Sequence, residues 1–95
     1  MTTIYEIDHQ GWITDKNGEA QLIIAMEECS ELTQAISKYI RYKDTEARYK
    51  VIEEMADVLI CMEQLKILCN INDKEIQGEI DFKCKRTEER YKEDD

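Results

Sequence analysis

Proline is absent from the 95-residue chain and glycine occurs only three times. That scarcity argues against an all-β domain with many tight turns. No apolar run approaches about 18 residues, and no short apolar segment follows a basic N-terminus, which argues against a membrane span or a signal peptide. Basic residues are outnumbered, 13 Lys+Arg against 22 Asp+Glu, for a net charge of −9. A phosphate backbone needs a cationic surface, so nucleic acid is not expected as a partner. Cys29, Cys61, Cys69 and Cys84 form no CxxC pair, and no His stands at zinc-finger spacing from them. Reduced cysteines among apolar neighbours behave as small hydrophobes, and free thiols suit a cytoplasmic protein.

Long helices remain, in one small domain spanning 1–95. Residues 1–14 show no clear period and are expected to form an irregular lead-in. A first helix is expected to start near 15–17 and run to Tyr42. After a short break at 43–45, where Asp44 and Thr45 can both cap, a second helix runs from about Glu46 to Cys69. Asn70 tolerates the left-handed conformation that ends it. Asn72 with Glu75 resembles a capping box and starts a third helix, which reaches about Lys92 before an acidic, frayed tail at 93–95. The short breaks predict antiparallel packing of consecutive helices, an all-α bundle.

The second helix is apolar nearly all round. Val51, Met55, Val58, Met62, Leu65 and Cys69 make one stripe, while Ile52, Leu59, Ile60, Ile67 and Leu68 cover much of the rest. Two further helices from one short chain cannot enclose it. A homodimer or homotetramer is therefore expected, completing four-helix bundles.

Two acids, Glu54 and Asp57, interrupt this apolar helix. Carboxylates on a buried face cost several kcal/mol, about 3–5 when one stands unpaired, unless they are paired or bind metal. Glu28 falls between Ala35 and Leu32 on the first helix, with Glu31 at the border of the same arc. Each pair is spaced i, i+3 and so shares a helix face. With the hairpin centred between Asp44 and Thr45, Glu31 lies ~20 Å from the turn and Asp57 ~19 Å, with Glu28 at ~25 Å and Glu54 at ~14 Å. The pairs overlap in height. Four carboxylates in a bundle interior repel unless cations neutralise them, and all-oxygen ligation favours Mg²⁺ or Mn²⁺.

QLIIAMEECSELTQAISKYIR followed by VIEEMADVLICMEQL resembles the MazG-type nucleoside triphosphate pyrophosphohydrolases, an all-α family with the pattern EExxE, a spacer, then ExxD. Here EExxE is Glu27, Glu28 and Glu31, ExxD is Glu54 and Asp57, and 22 residues lie between Glu31 and Glu54. The resemblance covers about 12–92. It implies Mg²⁺-dependent hydrolysis of a (deoxy)nucleoside triphosphate to the monophosphate and pyrophosphate. It assigns metal binding to Glu28, Glu31, Glu54 and Asp57, with Glu27 a candidate base that orients water.

Lys83, Arg86 and Arg90 lie at i, i+3, i+7, one face of the third helix, where they can clamp phosphates or pair with Glu79, Glu88 and Glu89. Trp12 precedes the first expected helix and is a candidate to stack on a nucleobase. Two other readings compete. Phosphoribosyl-ATP pyrophosphatase shares the chemistry and a related acidic helical motif. A non-catalytic oligomerisation module would use its buried acids for specificity alone.

Overall fold

The computed structural model describes the backbone of residues 4–94 and the side chains of residues 19–93. Three helices follow in order: α1 (Ile4–Tyr42), α2 (Thr45–Leu68) and α3 (Asp73–Asp94). The all-α class expected from the sequence is what the chain adopts. Among the described residues no helix is long and apolar enough to cross a membrane.

Local chemistry sets the breaks. Lys43 turns left-handed at φ 49°, and its N–H donates to the Tyr39 carbonyl at 2.8 Å, closing α1. Asp44 then caps α2, its Oδ1 accepting from the Ala47 N–H at 2.7 Å. At the far end Asn70 is left-handed at φ 53°. Its N–H donates to the Ile67 carbonyl, and the Ile71 N–H to that of Lys66, a Schellman closure. Asn72 and Glu75 exchange reciprocal side-chain bonds at 2.9 and 3.2 Å, the capping box that opens α3.

Two boundaries differ from expectation. The irregular lead-in at 1–14 is helical from Ile4 onward. A missing apolar period does not exclude a helix, and no proline interrupts the stretch. Likewise α3 continues to Asp94, so the frayed tail expected at 93–95 is helical through that residue.

α1 and α2 pack as an antiparallel hairpin. Ala25, Ala35, Ala47 and Cys61 are its buried apolar residues. Along α1 the seam runs Ala25, Glu28, Leu32, Ala35; along α2 it runs Ala47, Glu54, Cys61, at seven-residue spacing. This is the repeat of a coiled-coil seam, with small side chains at the closest approach. The stripe expected on α2 is therefore shifted: Met55 and Met62 are exposed, and Val51 and Val58 are half-buried beside the seam. On a helix apolar nearly all round, size at the contact decides which face turns inward. α3 packs on neither α1 nor α2 among the described residues, which corrects the expected antiparallel packing of α2 against α3. Its tether is Lys66, whose Nζ lies 2.8 Å from Asp73 and 2.7 Å from Glu63.

Candidate metal centre

Two positions of the hairpin seam are carboxylates. Glu54 is 4% exposed, and its Oε2 has no hydrogen-bond partner. Glu28, half-buried opposite it on α1, likewise has an unpartnered buried Oε2. Asp57, one turn beyond Glu54, is exposed but turns to the same point. One carboxylate oxygen from each of Glu28, Glu54 and Asp57 lies within 4.8 Å of the others.

Such crowding acts on protonation. Burial, then the charges of Glu31, Asp57 and Glu54, push the Glu28 carboxyl above its ordinary value, and a hydrogen bond with Asp57 adds to the rise. Cys61, buried beside the acids, has its thiol pushed up by burial first and by Glu28 and Asp57 next. That thiol is held protonated and is a poor nucleophile. Lys50 alone brings a cation to the acids within ion-pairing distance among the described residues, its Nζ 3.2 Å from Glu54 Oε1.

The donor set fits a divalent cation. It is all-oxygen, it is anionic, and two of its atoms are buried without partners, a state that costs stability unless something binds them. Glu28, Glu54 and Asp57 could hold the ion. Glu31 is not among the three whose oxygens converge, although its charge acts on Glu28. It is exposed and lines an adjoining groove of about 240 Å³ with Gln34, Ala35, Lys38, Lys50 and Glu54. The sequence-based heights paired Glu31 with Asp57, whereas Glu28 meets Asp57. The chain reverses at left-handed Lys43, ahead of the assumed centre between Asp44 and Thr45, which shifts the register by about one turn.

Other expected residues lie elsewhere. Glu27 is exposed and outside the cluster. Lys83, Arg86 and Arg90 are exposed on α3, away from the hairpin. Among the described residues none of the three forms an ion pair; Glu88 pairs with Lys92, and Arg86 lies over the Phe82 ring. The side chain of Trp12 falls outside the described residues. Sequence reasoning did not single out Lys50, although its place four residues before Glu54 on the same helix was a signal.

A carboxylate cluster set into an all-α hairpin defines the class to which this protein belongs. The family model for the MazG nucleotide pyrophosphohydrolase domain matches residues 16–92, and the chain belongs to that family. Its activity is accordingly that of a nucleotide pyrophosphohydrolase, a hydrolase, in a family that generally uses a divalent metal. Comparison with curated proteins and with solved structures gave no significant match.

Proposed function

We propose that the protein hydrolyses a (deoxy)nucleoside triphosphate to the monophosphate and pyrophosphate with Mg²⁺, serving the cytoplasmic nucleotide pool. The observation that carries this reading is the pair of buried, unpartnered oxygens on Glu28 and Glu54. Glu28, Glu54 and Asp57 would hold the ion, and Glu31 would join them from the rim of the groove. When bound, the cation supplies charge neutralisation at the phosphate oxygens and activates the attacking water. The hairpin contributes rigidity. Its carboxylates sit on two packed helices, so little reorganisation accompanies binding.

The working form is an oligomer of this chain. The chain exposes 7818 Å², whereas a folded monomer of its mass exposes about 5,700 Å². Among the described residues α3 packs on neither other helix, and Ile23, Met26, Ile36, Ile40, Ile52 and Met55 are exposed. A second copy packed about a two-fold axis covers these faces and completes a four-helix arrangement round each acid cluster. Such packing also gives Lys83, Arg86 and Arg90 a route to the phosphates of a neighbouring site.

The test is a panel of NTPs and dNTPs with Mg²⁺, resolving monophosphate plus pyrophosphate from diphosphate plus phosphate. Monophosphate and pyrophosphate are expected, and Glu54→Gln is expected to abolish both while leaving the helices intact. Diphosphate and phosphate as the products would sink the reading, as would a fully active Glu54→Gln protein.

A further inference from the structure

Lys50 lies one turn before Glu54 on α2, outside the cluster itself. Its Nζ is 3.2 Å from Glu54 Oε1 and 3.3 Å from Glu53 Oε2. The two oxygens of Glu54 thereby take separate tasks. Oε1 is held by the lysine, and Oε2 is the buried atom left without a partner. We infer that Lys50 is a positioning residue, which pins Oε1 and so leaves the buried, unpartnered Oε2 as the atom offered to the cation. This rests on the reading of the acid cluster as a divalent-cation site.

Simple helix stabilisation does not account for the pair. A lysine N-terminal to a glutamate at i, i+4 is the weaker of the two orders on a helix. Nor is charge shielding the main effect. Lys50 is more than half exposed, so water and salt screen its charge at any distance beyond its direct partner. Glu54 is nearly enclosed, with the small buried Ala35 lining the same groove. In that setting a carboxylate that loses its outer partner can rotate, and the loss of such partners typically weakens metal affinity about 10–100-fold.

The opposing possibility makes the opposite prediction. If Lys50 were only a counter-ion competing with the metal, its removal would tighten Mg²⁺ binding. The experiment is a Mg²⁺ titration of wild type, Lys50→Met and Lys50→Arg, followed by calorimetry and by melting temperature, with the half-saturating Mg²⁺ for turnover measured in parallel. Lys50→Met is expected to bind Mg²⁺ at least tenfold more weakly, with unchanged helical content and with kcat largely recovered at saturating Mg²⁺. Lys50→Arg keeps the charge and the reach and is expected to stay within about threefold of wild type. Equal or tighter binding by Lys50→Met overturns the inference, as does a Lys50→Arg protein equally defective. A wild type that gains no thermal stability from Mg²⁺ removes the cation reading of the cluster, and this role of Lys50 with it. A wild type that responds, matched by an equal response in Lys50→Met, leaves the cluster reading standing and removes only Lys50.

Discussion

Glu28 meets burial and three neighbouring carboxylates at once, and its raised pKa gives the metal-free protein a pH dependence of defined sign. The unfolded chain releases this proton near the ordinary value of 4.5, while the folded protein keeps it to higher pH. Over that window the unfolded state binds fewer protons, so stability falls as pH rises and is lost through the raised folded value. With a chelator present, the melting temperature is expected to drop as pH increases from 4.5 toward neutrality. Glu28→Gln is expected to flatten that slope, and an unchanged slope would refute the assignment. Asp73 works in the opposite sense. Lys66 lowers its pKa below 3.8, so its contribution is lost only in stronger acid, outside the Glu28 window. Mg²⁺ is expected to reverse the trend near neutrality, because the ion binds the deprotonated carboxylates. The acids at this scale were legible as residues out of place on an apolar helix. Which of them converge was not, because a height estimate turns on where the chain reverses. The left-handed Lys43 could not be foreseen, since a residue of that type adopts positive φ only under local constraint.

Among the elements, the hairpin depends on a two-residue connection and one side-chain cap. Asp44→Ala removes the 2.7 Å bond to the Ala47 N–H and is expected to cost about 1 kcal/mol. Urea unfolding checks this, with a lower midpoint and an unchanged slope as the expected result. A midpoint equal to wild type would mean that the seam alone sets the turn. The caps at Asp44, Asn70, Asn72 and Glu75 were readable because each acts within a few residues of itself. The seam was less so. Ala47, Glu54 and Cys61 face α1 because small and paired side chains allow close approach, a criterion that a count of apolar residues on α2 does not register.

At the scale of the whole molecule, the Cα radius of gyration is 16.4 Å, against about 12 Å for a compact chain of 95 residues. An isolated chain of this shape leaves too much apolar surface in water. Ile60 and Ile67 are about 40% exposed on α2, and fully exposing a side chain of that size forfeits ~1.5–3 kcal/mol. Charged substitutions at both positions are expected to give an inactive, poorly folded monomer. Light scattering of wild type at micromolar concentration provides the check, and a well-folded, fully active 11.3 kDa species would refute the oligomer. The expectation of a second copy rests on the all-round apolarity of α2. The separation of α3 from the hairpin was not legible in the sequence, because capping and periodicity describe an element without fixing what it packs on.

The antiparallel seam also governs which insertions and deletions the chain tolerates. Glu28 and Glu54 meet only because each stands at a fixed rotation about its own axis. One residue inserted between Glu31 and Tyr42 would turn Glu28 by ~100° away from α2 and lift it by ~1.5 Å. The same residue inserted between Lys43 and Asp44 would lengthen the connection and leave both rotations intact, at a small loop-closure cost. Length can therefore vary freely at the bend, but within the helices only in matched steps of about seven residues on both arms.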